Sequence, residues 1–180
     1  EQGRPEGTLE RMRNMDKKYD VICIGQVVQD ILVTNIPEDA LTCGRDTFLA
    51  DEILMSAGGD AANEASVLAK LGSRSALLTR LDKLEAGNMI FDDLTRLGVD
   101  TSLLVRPDDC RTFSTVVVVE PDGDHIFFAG PGRNFTLELS DVDMSVFEQA
   151  RFVTAGSLYS LGSLDGEGIA RIFEKARSAG

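Results

Sequence analysis

The chain has 180 residues, of which 43% are hydrophobic, and this is enough to build one sizeable core. Its formal net charge of -12 argues against nucleic acid and anionic membranes as partners, because both require a basic protein surface. The sequence has neither an apolar run that would span a bilayer nor the apolar segment of a signal peptide, so we expect a cytoplasmic protein.

Residues 1–14 are mostly polar and carry little apolar side-chain area. This composition predicts a flexible leader of upstream or added residues, since it cannot bury enough apolar surface to fold. Met15 would then be a natural start, and residues 15–180 would form the folded domain.

The first predicted element is a buried parallel strand from Tyr19 to Gly25, an almost continuous apolar run. Asp30 follows Gly25 by five residues. Because open α/β sheets bind ligands beyond the carboxyl ends of their strands, this carboxylate is a candidate ligand-binding group. A simple turn or cap role for Asp30 is the alternative.

Two adjacent glycines, Gly58 and Gly59, precede a predicted helix that ends at Gly72. Without Cβ atoms they allow the backbone to come close to a ligand. The helix N-terminus offers unpaired N–H groups, and Asn63 in its first turn adds an amide that both donates and accepts. This pattern favours a site for a polyhydroxylated small molecule. Alternatively, the glycines only begin a helix packed on the core.

Strands and helices alternate along the rest of the chain, which indicates the α/β class. A hairpin is strongly predicted, because Pro121-Asp122-Gly123 is typical turn sequence between two β-branched, aromatic runs. In chain order we predict two extended stretches within 33–55, a parallel strand at 75–79, a helix at 87–97, a short strand at 103–105, the hairpin strands 112–119 and 124–129, a strand at 151–156 and a helix at 165–179.

Cysteine and histidine usage predicts neither a disulfide nor a metal site. Cys23, Cys43 and Cys110 are widely spaced, and His125 has no cysteine or histidine beside it. Cys23 falls within the first strand, where thiols commonly act as small hydrophobic groups.

Together these residues resemble the N-terminal part of the ribokinase-like (PfkB) family of carbohydrate kinases. The resemblance runs from about Tyr19 to the last residue, and it implies a Rossmann-like parallel sheet flanked by helices, with a small β lid formed by about residues 31–56 and 110–131. It also implies a truncated chain, the sugar-binding part of a longer kinase. It rests on Gly25 with Asp30, the run 58–65 with Leu71-Gly72, the segment 87–100 and the hairpin region 112–134.

The resemblance implies that Asp30 binds sugar hydroxyls and that Gly58, Gly59 and Asn63 complete the pocket. The activity implied is ATP-dependent phosphorylation of a hydroxyl on a sugar or related polyol, with Mg²⁺ on the phosphates. The family's Gly-Ala-Gly-Asp type motif, which supplies the base aspartate, lies in its C-terminal half and is absent from this sequence. We therefore predict no catalytic residue and no metal ligand within the chain, and no activity for it alone.

Two segments depart from the family pattern. Asp82 and Leu84 stand where the first glycine and the aspartate of Gly-x-Asp-x-x-Gly are expected, and only Gly87 is kept, so we assign the loop Leu81–Gly87 no role. Arg133 follows the hairpin, where relatives have a Gly-Ala-Asn type turn near the substrate. It would contact an anionic sugar group or simply be solvated.

In the family the lid strands often pair between subunits, which implies a homodimer besides the small-molecule sugar partner. Two other functions stay open. One is a non-catalytic sugar-binding or regulatory protein without the phosphoryl-transfer half. The other is a nucleotide-dependent oxidoreductase, which is disfavoured because Gly-x-Gly-x-x-Gly is absent and Thr79-Arg80 replaces the acidic end of the second strand.

Overall fold

The computed structural model describes residues 17–180, so the predicted leader 1–14 and Met15 lie outside the described residues. Seven strands form two sheets, a core sheet of order β4-β1-β7 and a lid sheet of order β3-β2-β5-β6. The strands are β1 (Tyr19–Ile24), β2 (Val28–Thr34), β3 (Ile53–Gly58), β4 (Ser75–Leu78), β5 (Phe113–Val119), β6 (His125–Ala129) and β7 (Ala150–Ala155).

Strand β1 is the centre of the core sheet and pairs in parallel with β4 and β7. Its near-continuous apolar sequence is explained by burial on both faces, as expected for a parallel strand covered from two sides. Val21 and Cys23 belong to one hydrophobic cluster, and Ile22 and Ile24 belong to the other. The alternation follows from the two-residue period of a strand.

Three α-helices cover these two faces: α1 (Asp60–Lys70), α2 (Glu85–Arg96) and α3 (Glu167–Ser178). The first two bury alanine, isoleucine and leucine side chains in the cluster of Val21 and Cys23. Helix α3 packs Ile169 and Ile172 into the opposite cluster. Short 3₁₀ helices at Glu38–Leu41, Leu139–Asp141, Met144–Gln149 and Gly162–Leu164 complete the described elements. The predicted α/β fold is therefore confirmed.

The lid sheet contains the strands of residues 28–34, 53–58, 113–119 and 125–129. Strand β2 pairs antiparallel with β3 and parallel with β5, and β5 and β6 form the predicted antiparallel hairpin. Between β2 and β3 the chain includes one 3₁₀ helix, Glu38–Leu41, where an extended stretch was expected around Pro37.

The short strand predicted at 103–105 is wrong. Residues 100–105 make only isolated parallel bridges, Ala76 with Asp100 near the start of β4 and Arg80 with Val105 two residues beyond its end. Between these bridges the Asp100 carboxylate accepts a hydrogen bond from the Ser102 N–H at 2.8 Å, which turns the backbone away from β4.

Candidate functional site

The carboxyl ends of β1, β4 and β7 lie at one edge of the core sheet, since the three strands are parallel. The β1–β2 turn, the loop after β4 and the loop after β7 leave the sheet there. This edge is where open α/β sheets commonly bind ligands. The lid strands β2 and β3 connect to the same edge. Strand β2 follows the turn after β1, and β3 leads directly into helix α1.

Gly59 joins lid strand β3 to helix α1 and has a backbone that favours glycine. Its φ is +93°, and a Cβ at this position would lie 2.6 Å from the Gln26 carbonyl oxygen and 3.0 Å from the Val27 Cα. The close approach therefore involves the β1–β2 turn. The sequence predicts that Gly59 belongs to a ligand pocket. The structure shows that this glycine allows the two connections to touch.

Asp30 lies in β2 with its carboxylate over Gly58 of the neighbouring strand. A Cβ at position 58 would overlap the Asp30 Oδ2 atom, so only glycine leaves room for this side-chain position. The register places Ser56 and Thr115 directly beside Asp30 on the flanking strands. Side chains of such partners share one face of a sheet, so two hydroxyl-bearing residues flank the carboxylate.

The Asp30 carboxylate is half-buried, and burial raises its pKa. Within residues 17–180 no neighbouring group donates a hydrogen bond to it. A partly desolvated carboxylate usually acquires donors when it serves the fold alone. Its open acceptor capacity is what a ligand with hydroxyl groups would use.

Helix α1 begins beside this carboxylate. Asn63 lies in its first turn, where its N–H donates to the Gly59 carbonyl at 2.9 Å, and its side chain is exposed. The structure thus brings Asp30, Gly58 and Gly59 together at one junction and places Asn63 one helical turn away. All four residues predicted for the pocket lie in this region.

The loop after β7 packs against the same helix start. The Asp60 carboxylate accepts hydrogen bonds from the N–H and the hydroxyl of Ser157, at 3.0 and 3.2 Å. The Gln26 side chain donates to the Ser160 carbonyl, which links this loop to the β1–β2 turn. The loop thereby extends the wall of the candidate site beyond the residues predicted from sequence.

Backbone strain marks this loop. Ser157 and Tyr159 both have positive φ, +55° and +71°, although neither is glycine. The Asp165 carboxylate holds the strained segment by accepting from the N–H groups of Tyr159 and Leu161 at 2.9 and 2.8 Å. Strained residues of this kind occur often at functional sites. The sequence of this stretch, rich in glycine and serine, predicts a loop after a strand near the substrate, and its glycine spacing fits no phosphate-binding pattern.

The loop Leu81–Gly87, which was given no role, is organised by Asp82. Its carboxylate accepts three backbone hydrogen bonds, from Leu84 at 2.8 Å, Gly87 at 3.0 Å and Thr112 at 2.8 Å. The Asp82 N–H donates to the Thr112 hydroxyl at 3.2 Å in return. Since Thr112 immediately precedes β5, this reciprocal pair ties the end of β4 to the root of the lid.

Three cysteines in the described residues are free, and Cys23 and Cys110 are buried. Burial raises the pKa of both thiols to about 11. They are therefore protonated near neutral pH and pack as small apolar groups.

No group of three or more histidine, cysteine or acidic side chains in the described part of the chain has the geometry of a metal site. Within the same residues no helix is both long and apolar enough to span a bilayer.

Comparison with known proteins decides the family. The sequence matches the pfkB family carbohydrate kinase description over residues 18–180. The chain belongs to the pfkB family of carbohydrate kinases. Similar curated proteins include Probable fructokinase-5 of Arabidopsis thaliana, 25% identical over 131 residues, and Ribokinase of Mus musculus, 23% identical over 167 residues.

Solved structures give the same fold. A structure described as Sa239 has a TM-score of 0.74 at 21% identity, and Halothermothrix orenii fructokinase has 0.70 at 20% identity. Each match covers 89% of this chain, but only 52% and 54% of the solved chains. The chain likewise spans 40% of the Arabidopsis protein and 50% of the mouse protein, that is, half or less of these curated relatives.

Proposed function

We propose that this chain provides the acceptor-sugar site of an ATP-dependent carbohydrate kinase. The observation that carries the proposal is the Asp30 carboxylate, half-buried over Gly58 and without a donor among residues 17–180. It stands beside the N-terminus of α1, at the sheet edge where α/β proteins bind ligands.

The residue chemistry fits a sugar. An ionised carboxylate accepts two strong hydrogen bonds, and adjacent hydroxyls of a sugar present two donors at the right spacing. The exposed Asn63 amide supplies a donor and an acceptor one helical turn away. Family membership and the fructokinase and ribokinase names of the relatives support a sugar as the substrate class.

The nucleotide and Mg²⁺ would be held by residues outside this segment. The sequence lacks both the Gly-x-x-x-x-Gly-Lys phosphate loop and a Gly-Ala-Gly-Asp motif, so its residues do not fit the phosphates of ATP. A similar structure is described as a Xylella fastidiosa fructokinase with bound ATP, and the chain covers 50% of it. In the proposed enzyme this segment binds and orients the hydroxyl that receives the phosphoryl group.

The proposal is tested by titrating the chain with fructose and ribose in a calorimeter. Asp30→Ala should weaken the affinity for the bound sugar by about 2–3 kcal/mol, the scale of hydrogen bonds to a charged group. The free energy of unfolding should stay equal or rise, because the native fold raises the pKa of Asp30 and so disfavours its charged form.

Glu52→Gln is the matched control, since it removes an exposed carboxylate at the start of the lid strand β3. It should leave sugar affinity within twofold of the original chain. Absence of sugar binding by the unaltered chain, or equal affinity in Asp30→Ala, would contradict the proposed acceptor site.

We further propose that the lid sheet joins two copies of the chain. One lid face carries a row of apolar partners across all four strands, Met55, Ile31, Val116 and Phe128, and a second row of Ile53, Val33, Val118 and Ile126. Several of these side chains are exposed. A second copy placed on this face would bury them.

A further inference from the structure

Two carboxylates on one face of helix α1 bind strand β7 and the loop that follows it. Asp60 and Glu64 are four residues apart, so their side chains are neighbours on the helix surface. The Asp60 Oδ2 atom accepts from the N–H and the hydroxyl of Ser157, at 3.0 and 3.2 Å. One turn farther along, Glu64 Oε2 accepts from the Thr154 hydroxyl at 2.8 Å. The helix is therefore attached to β7 at one point and to the loop 156–162 at another.

The loop comes very close to the helix start. A Cβ at Gly156 would lie 2.8 Å from the Asp60 Cβ, so a glycine is needed where the two backbones meet. The Gly156 N–H donates to the Ile24 carbonyl at 2.8 Å, which joins the loop to the end of β1. The next residue of that end, Gly25, has equally little room, because its Cβ would lie 2.8 Å from the Ala61 Cβ. The ends of β1 and β7 and the start of α1 thus form one packed junction.

The Asp60 carboxylate holds a strained part of the loop. Ser157 has a φ of +55°, which residues other than glycine rarely adopt. Its two hydrogen bonds to one carboxylate offset the cost of this conformation, because bonds to a charged acceptor are stronger than bonds between neutral groups. Without the carboxylate both donors of Ser157 lose their acceptor, and the backbone is free to relax. We therefore expect Asp60 to determine the path of the loop.

The same loop presents two large side chains to solvent at the ligand-binding edge. Leu158 and Tyr159 are 48% and 97% exposed. The Asp165 carboxylate holds the far side of the loop through the N–H groups of Tyr159 and Leu161, so the exposed side chains belong to a backbone that is fixed on both sides. Aliphatic and aromatic side chains beside a few polar groups are the usual composition of a small-molecule site.

We propose that Asp60 is a positioning residue for the acceptor site. Acting through Ser157, it holds the loop 156–162 against the start of α1, so that Leu158 and Tyr159 cover the bound acceptor. This inference rests on the proposed acceptor site. The Asp60 carboxylate contacts the loop and not the sugar.

Tyrosine fluorescence reports the position of the loop. The sequence has no tryptophan and two tyrosines, Tyr19 and Tyr159, and Tyr19 is only 2% exposed. Quenching by acrylamide therefore reports mainly on Tyr159, and Tyr159→Phe should abolish most of it. Bound fructose or ribose should lower the quenching constant of the unaltered chain at least twofold, because it covers the ring. In Asp60→Ala this protection should be lost even at a saturating sugar concentration.

Calorimetric titration with fructose and ribose measures the effect on binding. Asp60→Ala should lower the affinity for the bound sugar at least fivefold, and Ser157→Ala, which loses only the hydroxyl bond, should lower it by a smaller factor. The double variant should lose no more than Asp60→Ala alone, since both residues act through the same contact. Asp60→Asn keeps a side-chain oxygen that accepts both bonds, so its affinity should stay within twofold of the unaltered chain.

Glu64→Ala is the matched control. It removes a carboxylate from the same face of α1, but one that binds β7 and not the loop. It should leave both the sugar affinity and the protection of Tyr159 within twofold of the unaltered chain. Circular dichroism spectra matching the unaltered chain would confirm that the variants fold.

Three results would overturn the positioning role. Equal losses of affinity in Glu64→Ala and Asp60→Ala would show a general effect of packing on α1. A loss in Asp60→Ala with full protection of Tyr159 and no effect of Ser157→Ala would place Asp60 in contact with the sugar itself. Unchanged affinity in Asp60→Ala together with a loss in Asp30→Ala would remove the positioning role and leave the acceptor site standing. Absence of sugar binding by the unaltered chain would instead contradict the acceptor site and, with it, this inference.

Discussion

Asp82 stands where the family pattern has a glycine, and its side chain fixes the conformation of the loop Leu81–Gly87 through hydrogen bonds. It is 3% exposed, and its carboxylate binds the N–H groups of Leu84, Gly87 and Thr112. Burial raises its pKa, but the hydrogen bonds from Thr112, Leu84 and Gly87 outweigh burial and hold the pKa below the usual value. The charged form therefore stabilises the native state.

We predict that Asp82→Ala lowers the free energy of unfolding by roughly 2–4 kcal/mol near neutral pH, because three N–H groups, two of them buried, lose their acceptor. A depressed native pKa gives stability that is complete above the unfolded pKa and is lost as pH falls through the native value. The difference from the unaltered chain should thus shrink below about pH 4. Urea denaturation from below pH 4 to neutral pH measures the free energy of unfolding of both chains. A difference that does not change with pH would contradict stabilisation by the charged Asp82 carboxylate.

Gly59 allows the packing and ligand roles to be separated. Gly59→Ala adds a Cβ 2.6 Å from the Gln26 carbonyl, at a φ of +93°. Gly72→Ala is the matched control, with a φ of +87° and no atom within 4 Å of the added Cβ. We predict that the control costs about 1 kcal/mol of stability, from backbone strain, and that Gly59→Ala costs at least 2 kcal/mol.

Thermal or denaturant unfolding of both glycine variants gives these values, and calorimetry on the folded fraction reports sugar affinity. Equal destabilisation by the two variants would show that the Gln26 contact relaxes at no cost. Unchanged sugar affinity in Gly59→Ala would restrict this glycine to the packing role.

At the scale of elements, most helices and strands could be predicted from short stretches of the sequence. The two-sided burial of β1 and the Pro-Asp-Gly turn of the hairpin are properties of short stretches, so the sequence reports them directly. The strand predicted at 103–105 was wrong because Asp100 and Val105 make only isolated bridges beside β4, and no local pattern indicates where such bridges form. The contact of Asp82 with Thr112 joins residues thirty positions apart, which no local pattern reveals.

The lid face gives a prediction at this scale. Phe128 is 46% exposed in the apolar face defined above, whereas Phe152 is 63% exposed on β7 of the core sheet. We predict that Phe128→Lys dissociates a dimer of the chain, because a buried unpaired ammonium is costly at an interface. Phe152→Lys should leave the dimer intact. Analytical ultracentrifugation distinguishes these results, and a monomeric unaltered chain at micromolar concentration would contradict the lid interface.

At the scale of the whole molecule, the candidate ligand-binding features of the described residues lie at one edge of the core sheet. Asp30, the start of α1 and the strained loop at Tyr159 meet there, while Asp82 ties the lid root to the core sheet at the same edge. In the proposed acceptor site, this arrangement would hold the sugar in place. Phosphoryl transfer additionally requires donors aimed at the transferring phosphate and a base positioned at the acceptor hydroxyl.

The sequence contains no motif for those two requirements, so binding and turnover should separate in this chain. We predict that the purified 180-residue chain binds sugar but forms no ADP above background with ATP, Mg²⁺ and either fructose or ribose. Loss of charge stabilisation alone typically costs two to three orders of magnitude in rate. A coupled ADP assay with Asp30→Ala as the control decides the outcome. Sugar-dependent turnover that disappears in Asp30→Ala would show that this segment also contains the phosphoryl-transfer residues.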